Sequence, residues 1–156
     1  MNIKIIAVGK IKESFMKSAI AEYKKRLKAY CSLSICEINA ENILDDSLSE
    51  KYKELEAEKI LQQIKSGNFI VTLEIKGKML GSEELAEKMK EISNSGVNEI
   101  TFIIGGANGL HSSISEISNL KLSFSKMTFT HQMIRLLLVE QVYRAYKINQ
   151  NERYHR

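Results

Sequence analysis

Five short apolar runs, with helical patterns between and after them, constrain this chain more than any other feature. The runs fall at residues 3–8, 33–38, 69–75, 100–104 and 120–124, where apolar residues alternate or crowd together as strands require. The spacing predicts helices over 14–29, 48–65, 83–93 and 132–148, with a short one starting at Ser112 or Ser113. Phe15, Ala19, Ile20, Tyr23 and Leu27 form the apolar face of the first. In the second, Ser47 and Glu50 read as a capping box, and Tyr52, Leu55, Ile60 and Ile64 supply the stripe. Ser82 reads as the cap of the third. Strand and helix in alternation predict an α/β fold with a mainly parallel sheet flanked by helices on both faces. At 156 residues the chain fits a single domain spanning 1–156.

Ligands of open α/β sheets bind beyond the carboxyl ends of the strands, so three loops become candidates: 74–81, 105–110 and 124–131. The middle one, in Ile104-Gly-Gly-Ala-Asn-Gly-Leu110, carries three glycines in five positions and lets a ligand approach bare peptide groups. A side chain at Gly105 is expected to fill that space. The spacing Gly105, Gly106, Gly109 fails the G-x-G-x-x-G dinucleotide fingerprint. Gly77 and Lys78 end a P-loop pattern whose first glycine is replaced by Thr72. Nicotinamide chemistry and NTP hydrolysis are both disfavoured.

Charge is segregated along the chain. Residues 1–30 hold eight Lys/Arg against two acids and residues 126–156 hold six against two, while residues 31–125 carry nine against fifteen. If the two ends meet in the fold, they make a basic surface suited to phosphate. If Cys31 and Cys36 lie on one strand, their odd spacing of five points them to opposite faces, so no disulfide is expected. The three histidines form no metal-ligand spacing, so no metal is expected either. No apolar run approaches the ~18 residues of a membrane span, and the apolar stretch near Met1 is too short for a signal peptide, which predicts a cytoplasmic protein. Proline is absent, so Gly, Asn, Asp and Ser must make the turns.

The C-terminal third is a long apolar helix with isolated arginines, of which Arg135 is expected to snorkel at the core's rim. Leu136, Leu137, Leu138, Val139 and Val142 span more of its circumference than one core face requires, which predicts a homodimer through this helix. The tail after it, Asn151 to Arg156, holds Tyr154, His155 and two arginines and looks too polar to add to a core.

Several segments together carry a family resemblance: LEIKGK at 73–78, IGGANGL at 104–110, LSFSKMTFTHQMIR at 122–135, EQVYRAYKI at 140–148 and the terminal YHR. In order and spacing, over essentially the whole chain, they resemble the RlmH family of SPOUT methyltransferases. That resemblance implies a C-terminal trefoil knot holding S-adenosylmethionine, a topology no argument from chain connectivity would have chosen. It also implies a homodimer that methylates N3 of a pseudouridine in ribosomal RNA of the large subunit, acting on assembled ribosomes. The family's cofactor contacts fall on Leu73, Gly105, Phe124, Ser125, Lys126, Met127, Thr128 and Phe129.

For the reaction, N3 of pseudouridine must lose a proton, and His155 is the first candidate base. Arg144 and Arg156 are candidates to hold RNA phosphate or uracil oxygens, and Tyr154 to stack on the base. His131 reads equally as a helix cap. Thr130 and Arg153 stand where the family often has proline, as Ala107 commonly does, and Thr130 is expected to loosen the turn before His131. The alternative from another class is a non-catalytic RNA- or ribosome-binding protein that uses the basic termini.

Overall fold

The structure is a computed structural model, and it describes residues 1–41 and 45–154. Five strands, β1 (Asn2–Val8), β2 (Ser32–Ile38), β3 (Phe69–Met79), β4 (Glu99–Ile104) and β5 (Leu120–Ser123), form one sheet in the order β2-β1-β4-β3-β5. Every pairing in it is parallel. The helices are α1 (Ser14–Leu27), α2 (Ser49–Leu61), α3 (Ser82–Asn94), α4 (Ser112–Glu116) and α5 (His131–Asn149).

Both faces of the sheet are buried, as an all-parallel sheet requires. Ile3, Ile5 and Ala7 of β1 point to one face, where Leu27, Leu85, Met89, Leu138 and Val142 from α1, α3 and α5 cover them. Ile6 and Val8 point to the other, beneath Ala57 and Ile60 of α2 and Ile114 of α4. Cys31 packs on the first cluster and Cys36 on the second, and both thiols are free.

Several expected boundaries shift, each for a local reason. Ser47 does not cap α2: it lies in a 3-10 turn, Asp46–Leu48, whose first amides are capped by the Asp45 carboxylate accepting from the Ser47 N–H at 2.9 Å. The second helix also ends at Leu61, so Ile64 sits in the following turn. Ser82 is the first residue of α3, not its cap; Gly81 takes the cap position and donates its N–H to Glu84 at 2.7 Å. Phe15 leaves the core stripe of α1, whose buried residues are Met16, Ile20 and Leu27. At about 100° per residue Met16, Ile20 and Leu27 fall within about 40° of one another, and Phe15 lies about 120° from their centre.

The third strand runs past its expected end. It pairs Leu73 with Leu122, then lets four residues loop out before Lys78 meets the same Leu122 and Met79 meets Ser123. Gly77 lies on this excursion, where a Cβ would stand 2.8 Å from the backbone of both Lys121 and Leu122. The glycine that ends the broken P-loop pattern is thus required for close passage over β5, not for phosphate.

Arg135 departs from expectation most. It does not snorkel: it is 0% exposed, donating from Nη1 to Glu37 at 2.6 Å and from Nη2 to the Gly9 carbonyl at 2.9 Å. These bonds tie the start of α5 to the ends of β1 and β2. The outward apolar face expected of α5 is also smaller than its sequence suggests. Leu138, Val139 and Val142 are each 0% exposed within the single chain, and Leu136 packs on Ile11, Met16 and Ile20. Met133 and Leu137 remain only partly covered.

Candidate functional site

A cavity of about 880 Å³ opens beyond the carboxyl ends of β3, β4 and β5. The three loops singled out by sequence build it. From β3 come Leu73 to Lys76, from β4 Ile104 and the glycine loop to Leu110, and from β5 the run after Leu122. Of the eight residues expected to touch a cofactor, Leu73, Gly105, Phe124, Ser125, Met127, Thr128 and Phe129 line the cavity. Lys126 is exposed and does not line it.

The walls are set by hydrogen bonds that fix loop backbone. Gly106 and Gly109 close the glycine loop on itself through a bridge, with the Gly109 N–H donating to the Gly106 carbonyl at 3.1 Å. Gly109 has φ +79°, open to glycine at little cost. A Cβ on Gly105 would stand 2.7 Å from the Gly109 carbonyl carbon, so that glycine is needed for the loop to close, and a side chain there strikes backbone before it fills the cavity. After β5, Ser123 Oγ lies 3.0 Å from the Ile75 carbonyl oxygen and 3.1 Å from that of Ser125. Ser125 Oγ then accepts the Met127 N–H at 2.9 Å. Glu74 is held by Thr72 Oγ1 at 2.6 Å and Ser115 Oγ at 3.1 Å, and with Glu13 it places two carboxylates in an otherwise mostly apolar lining.

Thr130 enters α5 in a proline-like conformation. Its φ of −63° is the value proline would impose, and its Oγ1 caps the helix by accepting the Met133 N–H at 3.2 Å. His131 is therefore the first helical residue and not the cap. It lies against Gly9, whose φ is +88° and where a Cβ would come within 2.9 Å of the imidazole Nε2. Burial, reinforced by the nearby Arg135 charge, holds His131 below the ordinary histidine pKa.

At the other end of α5 the tail folds back onto the helix. The Tyr154 ring packs edge-on to Tyr143 with centroids 4.9 Å apart, and the Arg144 guanidinium sits 4.8 Å from its centroid. Tyr154 Oη donates to Glu140 Oε1 at 3.2 Å and lies 3.3 Å from Tyr23 Oη. The same Glu140 oxygen accepts from Arg144 Nε at 3.1 Å and Nη2 at 2.7 Å. Burial, the Tyr23 hydroxyl and the Glu140 charge push the Tyr154 phenol well above its ordinary value. Glu152 pairs with Lys147 and accepts from Tyr30 Oη at 2.9 Å. The tail up to Tyr154 is thus part of the packing, contrary to the expectation that it adds nothing to a core. His155 and Arg156 lie outside the described residues.

Sequence reasoning missed the cavity residues contributed by α1 and α5. Phe15, 66% exposed, stands at the cavity with Met16, and Met133 and Ile134 approach it from α5. The signal lay in the helical phase of Met16, Ile20 and Leu27, which leaves Phe15 outside the core stripe. Met127 is 76% exposed, and Phe129, Ile75 and Met79 are also largely open, so large apolar side chains gather in and beside the cavity loops. The charge-rich termini do meet, through α1 packed on α5 by the Tyr23–Tyr143 contact. Among the described residues no helix is long and apolar enough to cross a membrane.

A family model described as "Predicted SPOUT methyltransferase" matches residues 1–155. The chain is 51% identical over 159 residues to the "Putative ribosomal RNA large subunit methyltransferase H" of Methanococcus maripaludis, with all of both chains covered. It also superposes with a TM-score of 0.58 on a "probable methylase family protein" from Haemophilus influenzae, at 14% identity and covering 99% of this chain and 70% of that one, a likeness of fold alone. With the whole chain matched and half its residues shared with a full-length relative, this protein belongs to the RlmH family of SPOUT methyltransferases.

Proposed function

We propose that the protein transfers the methyl group of S-adenosylmethionine to N3 of a pseudouridine in the large-subunit ribosomal RNA of the assembled ribosome, working in the cytoplasm as a homodimer. The observation that carries this reading is the cavity, lined by seven of the eight residues the family resemblance assigns to the cofactor. Its volume and mostly apolar lining with a few fixed polar groups suit a nucleoside-sized ligand. Leu73, Met127 and Phe129 would give apolar cover, and backbone groups of the Gly105 loop and of the run from Phe124 would meet the polar ends. When bound, the cofactor supplies an electrophilic methyl group on a sulfonium.

The excursion of β3 over β5 at Gly77 supports the proposed trefoil knot, because it folds a loop across the strand that leads into α5. What remains for the chain is to align the base and take its N3 proton. His155 is the proposed base, with Arg156 on RNA phosphate or uracil oxygen. The Tyr154 ring already has Tyr143 at its edge and Arg144 over it, so both residues serve this reading as anchors that launch the tail. Arg144 stands ten residues beyond Ile134, about 15 Å along α5 from the cavity wall. A second copy with its α5 antiparallel would bring each tail toward the other copy's cavity, across the face left open by Met133 and Leu137.

The test is mass spectrometry of large-subunit RNA after intact ribosomes are incubated with the protein and methyl-labelled S-adenosylmethionine. Label on one pseudouridine, at N3, is the expected result. RNA that is bound but unlabelled would favour the non-catalytic alternative, and label at another atom would move the base chemistry elsewhere.

A further inference from the structure

A second, smaller cavity of about 480 Å³ lies between α1 and β2, apart from the loops that build the candidate cofactor site. Lys10, Lys17 and Lys24 line it, and Arg135 contributes to its buried side. Lys17 and Lys24 are seven residues apart on one helix, two turns and about 10 Å, so they project from one face. Among the described residues, none of the three lysines forms an ion pair. The one carboxylate in the lining, Glu37, is already engaged by Arg135 Nη1 at 2.6 Å and by the Ile11 N–H at 3.2 Å.

That leaves three lysine charges and a buried guanidinium against a single acid. Arg135 Nε, fully buried, has no hydrogen-bond partner, an uncommon state for so polar a group. Apolar side chains such as Ile35 complete the walls and keep the local dielectric below that of water, which strengthens attraction for an anion. Lysines act as point charges on phosphate and do not demand the planar match that a carboxylate–arginine pair requires. The cavity shares α1 with the candidate cofactor site: Phe15 and Met16 line one, and Lys17, one residue on, lines the other.

We propose that this cleft binds a backbone phosphate of the RNA substrate and so docks the RNA beside the site of methylation. The inference rests on the reading that the protein acts on ribosomal RNA. Losing one phosphate contact to single-stranded or looped RNA flattens the dependence of log affinity on log salt by roughly 0.7. Over the tenfold range from 1 M down to 0.1 M salt that slope amounts to about a fivefold loss of affinity.

The experiment measures binding of the full-length protein to isolated large ribosomal subunits across a salt series. Wild type is compared with Lys17→Ala/Lys24→Ala and with a control, Lys51→Ala/Lys65→Ala, which removes two exposed lysines away from the cleft. Melting temperature and calorimetry with S-adenosylmethionine accompany each protein. The expected result is a fivefold or greater loss and a flatter slope for the cleft variant alone, with cofactor binding and melting unchanged. Equal behaviour of the cleft and control variants overturns the inference while leaving the functional reading intact. Wild type that binds no ribosomal subunits overturns both. Inorganic phosphate that binds wild type but not the cleft variant, with RNA affinity the same in each, marks a small-anion site and also overturns the inference.

Discussion

Tyr154 is the place where the tail's structural part can be separated from its chemical part. Replacing it with alanine removes an edge-on contact to Tyr143, worth roughly 0.5–1.5 kcal/mol. It also removes the Arg144 contact over the ring, about 0.5–1 kcal/mol at a partly exposed site. The hydroxyl contacts to Glu140 and Tyr23, at 3.2 and 3.3 Å, are long and belong at the low end of the ~0.5–1.5 kcal/mol range for hydrogen bonds. Glu152 still ties the chain to Lys147 and Tyr30, so little beyond Tyr154 itself is released, and about 1 kcal/mol of recovered conformational entropy offsets part of the loss. A net cost of about 2 kcal/mol follows. For a domain of this size each kcal/mol shifts the melting temperature by roughly 2–4 °C, so Tyr154→Ala is expected to melt about 4–8 °C lower. Tyr154→Phe, which keeps the ring, should lose about 1 kcal/mol or less. The assay is thermal unfolding by circular dichroism at one fixed protein concentration, because the melting temperature of the proposed dimer depends on it. His155→Ala/Arg156→Ala run alongside should melt like wild type yet lose methyl transfer. If Tyr154→Ala melts with wild type, the tail is not anchored by this ring and the account of its packing is wrong.

Thr130→Ala should cost about 1 kcal/mol by removing the cap on Met133, whereas Thr130→Pro, matching the φ of −63°, should recover part of that through a stiffer unfolded chain; urea unfolding of the three proteins orders them. Gly105→Val should unfold the glycine loop at a cost of about 3 kcal/mol or more and abolish cofactor binding, while Gly106→Ala, which meets only Val8 Cγ1 at 3.1 Å and the more distant Glu56 carboxylate, should cost nearer 1 kcal/mol, as calorimetry and melting together will register. Because His131 is held below its ordinary pKa, the unfolded chain takes up its proton first as pH falls through about 6.5, so stability should drop from there downward. His131→Gln should lessen that drop between urea midpoints at pH 7.5 and 5.5. Met133→Glu puts a charge on the open face of α5 and should convert the proposed dimer to monomer by light scattering; a dimer that survives it uses another face.

What could be read from the residues alone was what periodicity and loop chemistry encode. The two-sided burial of β1 shows directly in an unbroken run such as Ile5 to Val8, and the three loops of the cavity follow from where strands stop. Helix ends were harder, because Asp45, Gly81 and Thr130 cap positions one or two residues from the serines and histidine that looked the part. Arg135 was misjudged for a physical reason: a lone arginine in an apolar helix has no visible partner until β2 brings Glu37 to it from 98 positions away. Tyr154 was misjudged similarly, since its partners on α1 and α5 meet it only after the tail turns back. The continuation of β3 past Ile75 depends on Gly77 crossing β5, a contact that no local pattern announces.

The strand order carries a kinetic consequence. At the sheet's centre Asn2 of β1 lies opposite Glu99 of β4, 97 positions away, and the other three strand pairings are also parallel and non-local. Loop closure of that span precedes any reward from the central pairing, so refolding belongs to the slower, topology-limited class of small domains. The sequence contains no proline, so the usual slow prolyl isomerisation in the unfolded chain cannot add a second delay. During synthesis β1 waits for β4 before it gains its inner neighbour, and its apolar residues stay available to other surfaces until roughly two thirds of the chain has emerged.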